Sequence, residues 1–270
     1  MNAPFDLDKI GGPRALNRLI DEVLLAGEDA LQIYRQTARQ KLCFKADKSP
    51  VTEADHIVEA RLCGFIATHY PEAGFLGEES GLRGKAGGVC FLVDPVDGTR
   101  AFVRNLPTWS ILVGMECEGE PVLGIAYQPA QEQLFVAVRG HGAYGNGKPL
   151  RVSLTAALDE ATIAHGALGQ FEEGGCIDAL GTLARTTHAQ RGLHDFEGYR
   201  ALLRGSVDAM VDPQTRPWDL CAPAVLVREA GGRLTSFEGL QTVHGGSGLA
   251  SNGQFHDVLL QALAQDSKGA

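Results

Sequence analysis

The sequence predicts an α+β fold, with helices and antiparallel sheets layered in both halves. Three observations lead there. Apolar residues recur at helical spacing near the N-terminus, short apolar runs broken by turn residues fill the middle, and helical and strand patterns alternate towards the C-terminus. A chain of 270 residues supports one large domain or two modest ones with a substantial core. No internal repeat or low-complexity tract is visible. A soft boundary at 152–160 separates an N-terminal part, 1–152, from a C-terminal part, 153–270, within one compact unit.

Leu16, Leu19, Ile20, Val23, Leu24, Leu31 and Tyr34 predict an amphipathic helix over 13–39. A polar loop, 45–50, follows. Thr52 and Asp55 stand three apart before Ile57, Val58, Ala60 and Leu62, the pattern of a capping box opening a helix that runs to Tyr70, before Pro71. A Gly-rich loop, 81–88, leads to a strand at 89–94 that Pro95 stops. Ile111–Val113, Val122–Tyr127 and Leu134–Val138 read as successive antiparallel strands, and Asn146-Gly147 as a tight hairpin turn. Beyond them lie a strand at 161–165, a helix at 196–204, a strand at 209–211, and a helix at 219–230 ended by Gly231-Gly232. Strands at 233–237 and 248–251 and a helix at 254–264 complete the set.

Composition narrows the classes of function. A net charge of −9 disfavours nucleic acid as the main partner, because phosphate backbones are held by clustered Lys and Arg. No apolar run approaches the length of a membrane span, and residues 1–8 lack the basic and apolar regions of a secretory signal. The six cysteines form no C-x-x-C pair, so free thiols in a reducing cytoplasm are expected.

The chemistry concentrates in Asp94-Pro95-Val96-Asp97-Gly98-Thr99, which follows the apolar run Val89–Val93. Two carboxylates three apart at a strand end converge on one point. Gly98 permits a tight turn, and Thr99 adds a hydroxyl and an N–H. Hard oxygen ligands beside a backbone that can approach an anion suit a divalent-metal phosphate site. Three other segments carry acids beside breakers or strand ends: Thr52–Asp55, Gly77-Glu78-Glu79-Ser80 and Trp218-Asp219-Leu220-Cys221-Ala222. Each also has a plain structural reading: Asp55 and Asp219 cap helices, and Glu78 and Glu79 belong to a solvated loop.

Taken together and in this order, the segments resemble the inositol monophosphatase family of metal-dependent, lithium-sensitive phosphomonoesterases. The family pattern runs T-x-x-D, G-E-E, D-P-[IVL]-D-G-T, W-D-x-A-A and E-A-G-G, the last matched by Glu229-Ala230-Gly231-Gly232. The resemblance extends from about residue 14 to the end and includes Ala250-Ser251-Asn252-Gly253. Cys221 replaces the usual Ala. The resemblance implies a layered α-β-α-β-α sandwich, a homodimer, and two or three Mg²⁺ ions per site, with Mn²⁺ as a substitute. Glu78, Asp94 and the Val96 carbonyl would hold the first ion, and Asp94, Asp97 and Asp219 the second. A third, weaker ion would lean on Glu78, with Glu79 outside the ligand set. The N–H groups of Gly98 and Thr99 would bind phosphate. Asp55, hydrogen-bonded to the Thr99 hydroxyl, would help deprotonate the attacking water, with Glu78 in the same catalytic group.

The choice of ester falls to the rim, where Asp97 and Asp219 are joined by two further acids. Asp212 stands where inositol-hydrolysing members carry a Glu, and Asp195 where they carry Ala. Extra anions gain little from a neutral polyol and much from an ammonium and an imidazole, which favours histidinol phosphate. Arg100-Ala101-Phe102 and Leu106-Pro107-Thr108-Trp109 also resemble the histidinol-phosphatase branch. Two readings stand for Asp195, a substrate contact and a cap for the next helix. Arg100 reads equally as a surface charge, Trp109 as core, and His194 and His244 as structural or solvated. Inositol 1-phosphate is the alternative substrate. A nucleotide phosphatase and a non-enzymatic, transcription-associated protein are weaker alternatives.

Overall fold

A computed structural model describes residues 3–36, 43–44, 50–84 and 88–266. Helix α1 spans Gly12–Tyr34, and residues 37–39 of the expected helix lie outside the described residues. The short strands β1 (Cys43–Phe44) and β2 (Pro50–Val51) pair antiparallel before helix α2 (Glu53–His69). Thr52 and Asp55 form the expected capping box at the start of α2. Strands β3 (Gly74–Gly77), β4 (Gly81–Arg83) and β5 (Val89–Asp97) follow, then the short helix α3 (Thr99–Val103). Strands β6 (Ser110–Cys117), β7 (Glu120–Gln128), β8 (Gln133–Val138), β9 (Ala143–Gly145) and β10 (Lys148–Pro149) form a meander. Positive φ at both Asn146 (47°) and Gly147 (74°) makes the expected tight turn between β9 and β10.

The C-terminal part contains β11 (Thr162–His165), α4 (Leu168–Glu173), α5 (Ile177–Thr186), β12 (Ala189–Arg191) and α6 (Asp195–Leu203). It closes with β13 (Ala209–Pro213), α7 (Pro217–Glu229), β14 (Arg233–Thr235), β15 (Ser247–Ser251) and α8 (His256–Asp266).

Besides the two-stranded β1–β2 sheet, two larger sheets form, an eight-stranded one ordered β10-β9-β8-β7-β6-β5-β3-β4 and a five-stranded one ordered β12-β11-β13-β15-β14. Helices α1 and α2 cover one face of the larger sheet, where Leu19, Val23, Val58 and Leu62 meet Phe91, Val93, Ile111 and Val113. Leu92 and Leu112 point to the other face, onto α6 and α7. Those two helices lie between the sheets, because the same core includes Met210 and Ala250. The outer face of the smaller sheet packs Ile163, Val211 and Leu249 against Phe171, Leu183 and Leu259 of α4, α5 and α8. The layers are α-β-α-β-α. Both sheets are buried on both faces, which is why their central strands read as continuous apolar runs.

Three expectations are corrected. The sheets are not wholly antiparallel: β3 runs parallel to β5, and β11 runs parallel to β12 and β13. Helical crossovers through α4–α5 and α6 enforce the latter two pairings. Gly81–Arg83 is a strand paired with β3, not loop. Pro95 does not end its strand. β5 continues to Asp97 through a register shift between Asp94 and Asp97, which accommodates a residue without an N–H.

Close approach places α7. A Cβ at Gly114 would overlap Cys221, and one at Gly124 would overlap Ala222, so two glycines in β6 and β7 let the helix lie flat on the sheet.

Candidate active site

In a regular strand, residues three apart face opposite sides. The bulge in β5 adds the residue that brings Asp94 and Asp97 to a common side, where both feel the charge of Asp219. Asp94 Oδ1 accepts the Val96 N–H at 3.0 Å, which holds the turn. Gly98 then adopts φ 82°. A Cβ there would lie 2.9 Å from Asp195 Oδ2, so glycine is required by both conformation and space. The Thr99 hydroxyl lies 3.0 Å from the Val96 carbonyl and 3.5 Å from Asp55 Oδ1, within reach of both acceptors.

Asp55 is fully buried at the start of α2, and its Oδ2 accepts from both the N–H and the hydroxyl of Thr52, each at 2.7 Å. Oδ1 is the end left to face the site. Capping and site-facing roles therefore coexist in one carboxylate. Asp55, Glu78 and Glu79 each bring a carboxylate oxygen within 4.8 Å of the others, so Glu79 stands as near this cluster as Glu78.

Asp219 occupies the first turn of α7, where its Oδ2 accepts the Arg216 N–H at 2.7 Å. It too caps a helix while facing the cluster. The charges of Glu78, Asp97 and Asp219 add to burial in raising Asp94. Carboxylates that raise one another need a shared proton or a cation between them.

Asp195 does not cap α6 with its side chain. That role falls to Asp97, whose Oδ2 accepts the Phe196 N–H at 2.8 Å from across the molecule. Asp195 instead holds φ 56°, beside Gly98, His194 and Arg100. A non-glycine residue in this region carries local strain. Asp212 accepts from the Tyr199 hydroxyl at 3.2 Å and feels Asp195 and Asp219.

Burial pushes the Asp55 carboxyl up to about 6, opposed by the Thr52 hydrogen bonds and reinforced by Glu78 and Glu79. Burial also takes Asp219 to about 7, with Glu78 and Asp195 adding to the rise. Asp94 and Asp97 are raised well above the ordinary range by burial and by neighbouring acids, and Asp212 likewise. His194 and Arg100 moderate the rise that burial imposes on Asp195.

Other singled-out residues lie in the scaffold. Trp109 is fully buried against Tyr34 and Phe102. His244 bonds Glu116 at 2.9 Å. Glu229 receives the N–H groups of Gly140 and Gly142, and Asn252 donates to Ser153 and Thr155. Cys63, Cys90, Cys117 and Cys221 carry free thiols. Two residues near the acids belong to no motif in the sequence: Tyr199, bonded to Asp212, and the buried Glu59. Glu59 stands four residues after Asp55, a spacing that places both on one helix face.

A family model described as the inositol monophosphatase family matches residues 17–268. The chain belongs to the inositol monophosphatase family. Its members are represented by the histidinol-phosphatase of Mycobacterium tuberculosis, 38% identical over 81% of this chain and 86% of that protein. The inositol-1-monophosphatase of Synechocystis is 32% identical over 90% of this chain and 86% of that protein. Among solved structures, the extragenic suppressor protein suhB of Bartonella henselae superposes with a TM-score of 0.86 at 27% identity, covering 95% of this chain and all of that one. Membership makes the chain a phosphoric monoester hydrolase with the layered fold described above. Among the described residues no helix is long and apolar enough to cross a membrane.

Proposed function

We propose that this protein is a Mg²⁺-dependent phosphomonoesterase that hydrolyses L-histidinol phosphate. The carrying observation is the set of acids around the Gly98 turn, Asp94, Asp97 and Asp212 buried and the half-buried Asp195 against Gly98 itself. A neutral polyol does little to offset that charge; a substrate with an ammium-type cation and an imidazole does. The greater identity to a protein named histidinol-phosphatase supports the same order.

The donor set fits a hard divalent cation. It consists of carboxylates and a carbonyl, and the mutual repulsion of Asp94, Glu78 and Asp219 calls for a positive charge between them. Glu78, Asp94 and the Val96 carbonyl would hold one ion, and Asp94, Asp97 and Asp219 another. The closeness of Glu79 to Asp55 and Glu78 adds it as a donor for a third. Bound there, Mg²⁺ supplies charge neutralisation of the phosphoryl oxygens and acidifies water.

The chain's own groups do the rest. The N–H groups of Gly98 and Thr99 precede the intrahelical bonds of α3 and are available to phosphate oxygens. Thr52 locks Asp55 Oδ2, so Oδ1 is presented to the attacking water and takes its proton. A carboxyl raised to about 6 is a competent base near neutral pH. Asp97, pinned by the Phe196 N–H, keeps one oxygen for the site. Asp195 and Asp212 face the substrate's cationic portion, and Asp219 joins them beyond its cation.

The homodimer implied by the family resemblance belongs to this proposal. So does a cytoplasmic location, which the free cysteines support. The test is a pair of specificity constants, for histidinol phosphate and for inositol 1-phosphate, on purified protein with Mg²⁺. A preference of about 10²-fold or more for histidinol phosphate is expected, from two desolvated charge contacts. A preference for the inositol ester would make that cyclitol phosphate the substrate.

A further inference from the structure

Glu59 is 4% exposed, on the same face of α2 as Asp55 and one turn further on. Burying an acid beside a cluster of acids is costly unless it is needed there. Its Oε2 accepts the N–H of Glu79 at 2.8 Å. The turn Glu78–Ser80 joins β3 to β4 and is tied on its other side by the Glu78 N–H to the Val93 carbonyl at 3.1 Å. The backbone of both glutamates is thus clamped, once to β5 and once to α2. Gly77, just before the turn, leaves room for this clamp. A Cβ there would overlap the Glu59 carboxylate and come within 2.7 Å of the Phe75 ring.

We infer that Glu59 is a positioning residue that sets the turn carrying Glu78 and Glu79 for cation binding, and that residue 77 must be glycine to admit it. Glu59 does not reach the cation; it acts through the Glu79 N–H. The inference rests on the reading that Asp55, Glu78 and Glu79 face a divalent cation. A charge-assisted bond from a buried carboxylate to a backbone N–H is among the stronger anchors available to a loop. Groups that orient metal ligands from behind typically change metal affinity or activity by 10–100-fold.

The experiment measures Mn²⁺ binding to the full chain by calorimetry and by electron paramagnetic resonance, alongside Mg²⁺ titrations of turnover. Glu59→Ala is expected to weaken Mn²⁺ binding by about 10–100-fold and to raise the half-saturating Mg²⁺ to match. Its kcat at saturating metal should stay within about threefold, because no group touching substrate is lost. Glu59→Gln keeps an acceptor oxygen and should recover most of the affinity. Gly77→Ala displaces the Glu59 carboxylate and should reproduce the alanine phenotype. If Glu59→Ala does not fold, Glu59→Gln and Gly77→Ala decide. Metal binding equal to wild type in Gly77→Ala or Glu59→Ala overturns the inference. So does a Glu59→Gln variant with affinity below about a tenth of wild type, since charge rather than the hydrogen bond would then matter. A wild-type protein that binds no Mn²⁺ removes the cation reading, and this inference with it.

Discussion

The two ends of β13 handle a buried aspartate in opposite ways. At its start, Asp208 accepts from the Ser153 hydroxyl at 2.5 Å and from the Thr162 N–H at 2.7 Å, and Asn252 ties Ser153 in turn. Near its other end, the Asp212 carboxylate accepts, among the described residues, from Tyr199 alone and feels the charges of Asp195 and Asp219. The first acid is fully answered by donors of the chain. The second belongs to a group whose members mostly face one another. A buried acid satisfied from within is scaffold; a set of acids facing acids requires a charge from outside.

The sharpest way to break the contrast is Asp94→Asn. Turnover should fall by roughly 10³-fold or more, because the proposed function makes Asp94 a ligand shared by two cation positions. Stability should not fall, since a source of repulsion is removed. A thermal melt at pH 8 in EDTA, with an unchanged or higher midpoint, checks the second half. At the other end, Asp208→Ala strands the Ser153 hydroxyl and the Thr162 N–H. It should cost about 2–4 kcal/mol in denaturant unfolding, with activity per folded molecule retained.

A smaller effect follows from pH. Asp55 and Asp219 have folded pKa values of about 6 and about 7, above the ordinary carboxylate range. The metal-free folded state then holds protons that the unfolded chain has released, so stability is highest below pH 4 to 5 as far as these groups decide it, and drops as pH rises through 6 to 7. Melts of EDTA-treated protein between pH 5 and 8 should show this fall, and Mg²⁺ should remove it. The smallest effect is expected at Cys221→Ala. The sulfur packs over Gly114 in β6, and its loss should cost about 1 kcal/mol while leaving turnover unchanged. A large loss of activity there would mean that α7 shifts and carries Asp219 with it.

The turn Asp94–Thr99 was legible because its chemistry and its geometry sit in six consecutive residues. Thr52 and Asp55 were legible as a cap, since the capping box is a three-residue pattern, and the cap is what aims Asp55. The cap of α6 was not legible, because its acceptor, Asp97, lies far along the chain from Phe196. Glu59 was hidden for another reason. An acid one turn after a capping acid reads as a solvated face, and only the fold shows that face turned inward against Gly77 and Glu79. Helices α4 and α5 escaped because they are short and Gly169, Gly174, Gly175 and Gly181 dilute their periodicity. The extension of β5 through Pro95 depends on a bulge, which composition alone does not announce.

The most direct measurement is the number of protons released when Mn²⁺ or Mg²⁺ binds at pH 6, obtained by calorimetry in buffers of different ionisation enthalpy. Carboxyls raised by burial and by one another should surrender about one to two protons per site to an arriving cation, with fewer released at pH 8. Binding without proton release at pH 6, or no binding at all, would contradict the claim that these buried acids await a cation.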